Sequence, residues 1–201
     1  MEEFKDIILP VLAAFIICLF AGPFIIKAMQ KLKFGQQVRD DGPKSHLSKQ
    51  NTPTMGGLIM LVGIIVPALI FRLSGMAMIA CLVAFAYGIV GFLDDFIKIV
   101  KKRSLGLKAY QKIIGQFRIA LITALYAYYS PEIGSSIYLP FSGGEFNLGW
   151  AYIPVAVFVI IALVNASNLT DGLDGLDSGV SLIIMGAFTI IITYLSAGAF
   201  A

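Results

Sequence analysis

Charged residues are scarce along the whole chain. Only 13% of the 201 residues are Asp, Glu, Lys or Arg, whereas a soluble domain carries about 25%. Hydrophobic residues make up 58%, and the mean hydropathy is +0.87. Long uncharged runs recur throughout, and a bilayer can absorb them where a soluble core cannot. An ordinary soluble fold is therefore excluded. No polar stretch is long enough to fold separately, so we expect a single transmembrane domain over residues 1–201.

Cysteine and histidine are nearly absent too. Cys18 and Cys81 each lie inside an apolar run, which indicates packed thiols and not a disulfide framework. His46 is the only histidine and cannot form a metal site alone, so we interpret it as a loop residue. A cleavable signal peptide is not indicated, because the first apolar run is long enough to span and its N-terminal flank is acidic.

Six apolar runs are present, and each predicts a transmembrane helix. They cover residues 7–26, 50–71, 73–93, 113–130, 150–165 and 178–201. The fourth run is interrupted by Gln116 and Arg118; this arginine could snorkel to the interface or face a polar cavity. The sequence therefore predicts an all-α polytopic membrane protein.

The basic residues predict the orientation of these helices. Six lie between the first two runs, seven between the third and fourth or just inside the fourth, and only Lys5 and Arg72 elsewhere. The positive-inside rule places the two large groups in the cytoplasm and the N-terminus outside. The net charge of +3 is then a topology signal and not a sign of nucleic-acid binding. Residues 131–149 would lie outside, with a small extracytoplasmic β-hairpin near 136–150 around Ser-Gly-Gly-Glu.

Asp94 and Asp95 are adjacent carboxylates at a predicted membrane boundary, at the end of the third helix. Ionisable groups at membrane depth are costly and indicate function. Two neighbouring carboxylates repel each other unless a cation or a shared proton compensates. Their hard oxygen atoms suit Mg²⁺, which also keeps water and substrate phosphate oxygens as ligands. The alternative is a solvated pair that marks a helix end.

Two further polar clusters lie on the same predicted side. Asn165, Asn168, Asp171 and Asp174 follow each other at steps of three, which share a face on a helix. Glycines 172 and 175 indicate a loop where backbone can approach a ligand. Such amides, carboxylates and backbone N–H groups suit a nucleotide, although a capped glycine-rich turn would look similar. The other cluster, residues 44–57, leads into the second helix, and its Pro53 is also compatible with an ordinary helix start.

Together these clusters closely resemble the phospho-N-acetylmuramoyl-pentapeptide transferases, within the polyprenyl-phosphate N-acetylhexosamine-1-phosphate transferase superfamily. The aspartate pair and the Asn-x-x-Asn-x-x-Asp-Gly pattern from Asn165 are typical of the superfamily. Thr-Pro-Thr-Met-Gly-Gly at 52–57 and Thr-Asp-Gly at 170–172 are similar to the muramoyl-pentapeptide branch. Branches that use N-acetylglucosamine more often have Ile-Asp-Gly at the latter place.

The resemblance implies a Mg²⁺-dependent enzyme of the bacterial plasma membrane, with a cytoplasmic active site. Such an enzyme transfers phospho-MurNAc-pentapeptide from UDP-MurNAc-pentapeptide to undecaprenyl phosphate, giving UMP and lipid I for peptidoglycan. Asp94 and Asp95 match the family's pair near the metal and phosphates, where one is proposed as base or nucleophile. Matches to substrate-binding positions are Lys49, Thr54, Lys98, Asn165, Asn168, Asp171, Gly172, Leu173 and Asp174. The resemblance also suggests a homodimer, and it gives nucleic acid no role.

The chain departs from this family in length. The family has about ten transmembrane helices, a later aspartate for Mg²⁺ and a histidine-rich cytoplasmic loop, all of which would lie beyond Ala201. We therefore expect a truncated chain that is inactive by itself. Asp177 lies where a small or apolar residue is expected, and the sequence offers no account of it.

Three other functions remain open at this point. A sister transferase could use UDP-N-acetylglucosamine, although Met55, Thr170 and the Thr-Pro-Thr run argue against it. A transporter or channel could line an ion path with Asp94 and Asp95, but the polar residues lie at helix ends and not at the bilayer midplane. A non-catalytic fragment that only binds or scaffolds is the third.

Overall fold

A computed structural model describes residues 2–32, 54–73, 75–101, 105–139 and 144–198. These ranges contain six α-helices and one two-stranded sheet. The helices are α1 (Glu2–Lys31), α2 (Gly57–Ile70), α3 (Gly75–Val100), α4 (Ala109–Tyr129), α5 (Tyr152–Thr170) and α6 (Leu176–Gly198). The strands are β1 (Ser136–Tyr138) and β2 (Glu145–Asn147), and a single 3-10 turn, Gly149–Ala151, precedes α5. The predicted all-α membrane architecture with a small β-hairpin is confirmed.

The helices differ in how well they match a bilayer. Within the described part of the chain, three segments are long and apolar enough to cross a membrane by length and composition, namely Ile8–Lys31, Gly75–Val100 and Gly149–Thr170. Two shorter apolar helices are Gly57–Ile70 and the segment Leu176–Ile191 of α6. Helix α4 belongs to neither group, because Lys112, Gln116 and Arg118 interrupt its first half. All six predicted helices are therefore present among the described residues, and α1, α3 and α5 contain the segments that meet these criteria there.

Helix α2 begins later than the sequence predicts, at Gly57 and not at residue 50. Met55 has φ 69°, in the left-handed region that a right-handed helix cannot contain. Its carbonyl already accepts the N–H of Leu58 at 3.1 Å, and that of Gly56 accepts the N–H of Ile59 at 3.0 Å. The helix therefore starts immediately after a backbone turn, which gives Thr54 a place outside the helix.

Helix α2 ends with a tight turn into α3. Arg72 has φ 51°, and its N–H bonds the carbonyl of Leu69 at 3.3 Å. The N–H of Leu73 bonds the carbonyl of Ala68 at 2.9 Å. This pair of bonds is the Schellman motif, which satisfies the last carbonyls of a helix. The short connection predicted around residues 72–75 is confirmed.

The chain divides into two compact units, Met1–Thr123 and Ala124–Ala201. In the first unit, α1 packs on α2 and α2 packs on α3. Small residues allow these close approaches. The Cys18 thiol on α1 lies 3.6 Å from the carbonyl of Ile59 on α2, and Leu61 on α2 packs over Gly88 on α3. The prediction of a packed thiol is confirmed for Cys18.

Gly63→Ala tests the packing of α1 on α2. A Cβ at Gly63 would overlap the Sγ of Cys18, and overpacking of this kind costs about 1–3 kcal/mol. We expect a lower melting temperature in detergent and recovery in the Cys18→Ala/Gly63→Ala double variant, which removes the overlapping sulfur. Gly22→Ala at the same interface is the control, because its Cβ would lie 3.8 Å from Ile59. Equal melting temperatures for Gly63→Ala and Gly22→Ala would contradict this packing.

In the second unit, the antiparallel pairing of β1 with β2 forms the predicted hairpin. Ser136 pairs with Asn147, Ile137 with Phe146 and Tyr138 with Glu145. The side-chain oxygen of Asn147 accepts the Ser135 hydroxyl at 2.8 Å and the N–H of Gly149 at 2.7 Å. These two bonds join the base of the hairpin to the turn that opens α5.

An aromatic cluster lies where α4 ends and α5 begins. The Tyr128 ring stacks on Trp150 with centroids 5.2 Å apart. Tyr129 meets Tyr128 edge-on at 5.1 Å, and Tyr152 lies 6.5 Å from it. Tyrosine and tryptophan concentrate at membrane–water interfaces, where their rings sit at headgroup level. We therefore expect the cluster to lie at one membrane boundary of the second unit.

Trp150 is the only tryptophan in the chain and is 69% exposed, so its fluorescence reports the depth of this cluster. In lipid vesicles, we expect stronger quenching by lipids brominated close to the headgroup than by lipids brominated near the chain end. Stronger quenching by the deep bromines would contradict the interfacial placement. Trp150→Phe supplies the background signal.

Candidate active site

The aspartate pair lies inside α3 and not at its end. The helix continues past the predicted limit at residue 93 and ends at Val100. The residues after the pair, Phe96 to Val100, are apolar except for Lys98. They continue the helix for one and a half turns, since a turn takes 3.6 residues. Because of this extension, Lys98 lies on the same helix as the two carboxylates.

Lys98 joins the two carboxylates. Its Nζ lies 2.8 Å from Oδ2 of Asp94 and 2.8 Å from Oδ1 of Asp95. On a helix, side chains three and four positions apart are neighbours, so one lysine can reach both aspartates. The side chains are partly buried, with 35% of Lys98, 14% of Asp94 and 27% of Asp95 exposed. One shared cation therefore offsets the repulsion between two adjacent carboxylates.

Thr54 reaches the same pair from the turn ahead of α2. Its hydroxyl donates to Oδ2 of Asp95 at 3.1 Å, across 41 residues of sequence. The next residue, Met55, combines a left-handed backbone with a side chain that is only 5% exposed. A bulky residue in this conformation is strained, and such strain clusters at functional sites. Burial of Met55 holds the turn that brings Thr54 to Asp95.

The loop between α3 and α4 contacts Asp94 from another direction. The N–H of Leu107 donates to Oδ1 of Asp94 at 2.8 Å, and the buried Gly106 lies directly against the same carboxylate. Lys112, in the first turn of α4, adds a favourable electrostatic interaction with Asp94. Sequence reasoning missed Gly106 and Leu107, because a glycine between two helices reads as an ordinary turn.

The four carboxylate oxygens of the pair each have a defined partner: the Leu107 N–H, the Thr54 hydroxyl and, twice, the Lys98 ammonium. Within the described ranges, no group of three or more His, Cys, Asp or Glu residues could hold a metal ion. Two carboxylates nevertheless fit Mg²⁺, which is usually bound by one or two carboxylates together with water and phosphate oxygens. The pair can therefore supply the protein's share of a site completed by a phosphorylated ligand.

The second polar cluster belongs to the second unit and starts on α5. The Asn165 amide donates to the carbonyl of Ile161 at 2.8 Å. Helix α5 ends at Thr170, and the N–H of Asp171 caps it by bonding the carbonyl of Ser167 at 3.0 Å. Asn165 and Asn168 thus share a helix face as the three-residue spacing predicts. This shared face does not continue to Asp171, because α5 ends at Thr170.

The remaining predicted residues of this cluster form an exposed turn. Four solvent-exposed residues lie between α5 and α6: Asp171, Gly172, Leu173 and Asp174. Gly175 closes the turn with φ 80°, which favours glycine. Its carbonyl accepts the N–H of Gly179 at 2.9 Å. The predicted glycine-rich loop is confirmed, and it presents carboxylates and backbone groups to solvent.

Asp177, unexplained by the sequence, has a structural partner. It lies in the first turn of α6, where a negative charge is favourable near the helix N-terminus. Its Oδ1 accepts the Ser167 hydroxyl of α5 at 2.9 Å. This bond joins the two helices across the exposed turn.

Other residues singled out by the sequence lie apart from these contacts. Lys49 and His46 fall outside the described residues. Arg118 is exposed on α4, whereas Gln116 is 1% exposed and its carbonyl accepts the Tyr87 hydroxyl of α3 at 3.1 Å. The buried polar group of α4 is therefore Gln116 and not Arg118.

The sequence matches two family models. Residues 75–201 match the model described as Glycosyl transferase family 4. Residues 49–61 match the Phospho-N-acetylmuramoyl-pentapeptide-transferase signature 1. The first match covers α3 with its aspartate pair, and the second covers Thr54.

Similar proteins carry the name phospho-N-acetylmuramoyl-pentapeptide-transferase. The chain is 51% identical to one from Clostridioides difficile (strain 630) over 174 residues, which is 86% of this chain and 54% of that protein. It is 46% identical to one from Thermoanaerobacter sp. (strain X514) over 193 residues, 96% of this chain and 60% of that protein. A relative from Caldicellulosiruptor bescii is 51% identical over 180 residues, which is 89% of this chain and 56% of that protein. The chain thus spans between about half and three fifths of the length of these relatives.

Proposed function

This chain belongs to glycosyl transferase family 4, and we propose that the complete protein transfers phospho-MurNAc-pentapeptide from UDP-MurNAc-pentapeptide to undecaprenyl phosphate. The products would be UMP and lipid I, an intermediate of peptidoglycan synthesis. The names of the relatives and the match to the muramoyl-pentapeptide signature favour this substrate. They do not favour the sister reaction with UDP-N-acetylglucosamine.

The cluster of Thr54, Asp94, Asp95 and Lys98 carries the proposal. Thr54 lies in the segment that matches the signature, and the other three lie in the segment that matches the family model. The hydrogen bond from Thr54 to Asp95 joins these two segments in space. A cluster of two carboxylates and a cation, partly buried within the C-terminal part of the apolar helix α3, suits a phosphorylated substrate.

The proposed reaction is a displacement at phosphorus. An oxygen of the lipid phosphate forms a bond to the sugar-linked phosphorus of the UDP-sugar, and the bond from that phosphorus to the UMP oxygen breaks. One carboxylate of the pair would accept the proton of the lipid phosphate as it attacks. Lys98 and Lys112 would offset the negative charge that develops on the phosphate oxygens.

A divalent metal fits the same pair. Asp94 and Asp95 would hold Mg²⁺, which would neutralise phosphate charge and orient the reacting oxygens. Lys98 now lies against both carboxylates, so it would release at least one oxygen when the metal binds. By the family resemblance, the residues around the α5–α6 turn would bind the nucleoside of the substrate. Lys49 matches another substrate-binding position of the family.

Membrane sidedness is part of this proposal. The excess of lysine and arginine around α3 and α4 and ahead of α2 favours the cytoplasm for the aspartate pair, and the outside for the N-terminus and the β-hairpin. A soluble nucleotide and a lipid acceptor can both reach a site at that interface. A homodimer would be in keeping with the family resemblance.

The decisive assay is UMP release by the complete protein in detergent or nanodiscs. We expect release that requires both undecaprenyl phosphate and Mg²⁺ and that proceeds with UDP-MurNAc-pentapeptide. UDP-N-acetylglucosamine serves as the competing substrate, and faster release from it would move the assignment to the sister transferase. Ion flux into proteoliposomes without any nucleotide would instead favour a transporter.

A further inference from the structure

Among the described residues, the Asp94 carboxylate has a main-chain partner as well as Lys98, whereas the Asp95 carboxylate is bonded by side chains. The Leu107 N–H fixes Oδ1 of Asp94, while Asp95 contacts the Thr54 hydroxyl and the Lys98 ammonium. We propose that Gly106 and Leu107 are positioning residues that lock the Asp94 carboxylate for phosphoryl transfer, an inference that rests on the proposed function. The lock leaves Oδ2 of Asp94 as the oxygen that can exchange Lys98 for a substrate or metal partner.

The glycine at position 106 is required for space and not for backbone conformation. Gly75, Gly134, Gly149 and Gly175 have positive φ, and Gly106 is not among the positive-φ glycines. Its backbone is therefore open to alanine. A Cβ there would overlap the main-chain oxygen and Oδ1 of Asp94 and would lie 2.7 Å from its Cγ.

The two neighbours of the Asp94 carboxylate differ in how easily they move. The Lys98 ammonium ends a flexible four-carbon chain, which can swing away at small cost. The Leu107 N–H belongs to the backbone beside the buried Gly106, so it can leave Oδ1 only if the loop moves. The carboxylate therefore keeps its orientation when Lys98 departs.

Gly106→Ala disturbs the contact of the loop with Asp94 and leaves the other residues of the site unchanged. The added methyl group meets backbone as well as a carboxylate, so the loop must retract or Asp94 must rotate. Either movement breaks the alignment of the Leu107 N–H with Oδ1 of Asp94, and a misplaced reacting group can lower a rate by about a hundredfold. Because no contact to the nucleoside segment is changed, we expect the loss in kcat for UMP release, with the KM for the UDP substrate within about twofold.

Gly115→Ala is the matched control. Gly115 lies on α4 and faces α3, and its Cβ would lie 3.5 Å from Val90, which is ordinary contact. We expect its kcat to stay within about twofold of wild type. A Gly106→Ala enzyme with normal kcat, or one that changes only in KM, would overturn the proposal.

A double-mutant cycle tests the contact without any activity. Asp94→Ala removes Oδ1 and Cγ, two of the three atoms that the new methyl would meet. We expect Gly106→Ala to lower the melting temperature of the wild type clearly more than that of the Asp94→Ala variant, because residues in contact are not additive. Equal decreases in melting temperature in the two backgrounds would overturn the proposed positioning of Asp94 by this loop.

The two readouts keep this proposal distinct from the transferase assignment. If the wild type releases no UMP but shows the melting-temperature coupling, the transferase assignment is overturned and the contact of Gly106 with Asp94 is established. If the wild type releases UMP but Gly106→Ala shows neither the kcat loss nor the coupling, only the positioning role is overturned.

Discussion

Asp94→Asn in the complete protein is expected to lower UMP release by about a thousandfold, within the range found for removal of a general base. The substitution keeps the shape of the side chain, and the amide oxygen can still accept the Leu107 N–H that now lies 2.8 Å away. It removes the charge that pairs with Lys98 at 2.8 Å and the ability to take up a proton. The change therefore tests chemistry at this position with little effect on packing.

Steady-state UMP release with saturating lipid and Mg²⁺ measures this effect. Glu132→Gln is the control, because Glu132 is an exposed carboxylate in the turn that follows α4 and lies outside the cluster. A folded Asp94→Asn protein that keeps most of its wild-type release would remove Asp94 from the mechanism. Equal losses in Glu132→Gln would indicate a general effect of charge removal.

Lys98→Met is expected to show the second largest effect, on both stability and activity. It leaves two adjacent, partly buried carboxylates without their shared cation. Exposed ion pairs are worth about 0–1 kcal/mol, whereas breaking a buried pair costs about 3–5 kcal/mol. For side chains that are 14–35% exposed, we expect a loss of about 1–3 kcal/mol, between these limits.

The melting temperature of Lys98→Met should depend on Mg²⁺. A divalent cation at the pair would replace the missing ammonium, so the melting temperature of Lys98→Met should rise more on Mg²⁺ addition than that of the wild type. UMP release should fall by about a hundredfold, since a charge facing the phosphates is lost. Lys101→Met is the control, because Lys101 is exposed in the turn immediately after the same helix. A Mg²⁺ response identical in all three proteins would contradict the role of Lys98 as counter-ion.

The cluster around Asp94 combines local and long-range contacts, which differ in how far a sequence can predict them. The bond of Lys98 to both aspartates follows from helical spacing, and the sequence would have predicted it had the helix been extended beyond residue 93. The Asn165 and Asn168 face on α5 was predicted on that basis. Contacts of Thr54 with Asp95 and of Leu107 with Asp94 cross 41 and 13 residues, and no spacing rule relates such positions.

Composition and spacing along the chain were enough to predict the membrane class, the six helices, the hairpin near 136–150 and the polar segments that form the candidate site. These features follow from local composition: apolar runs of spanning length, turn residues between β-prone segments, and charges where the runs stop. Other features became visible only in three dimensions: Gly106 and Leu107 contact Asp94, Met55 takes a left-handed backbone beside Thr54, and Asp177 accepts the Ser167 hydroxyl. The reason is that these contacts depend on how helices and loops approach one another, as where Leu61 meets Gly88, and such an approach is set by shape across the fold and not by neighbours in the chain.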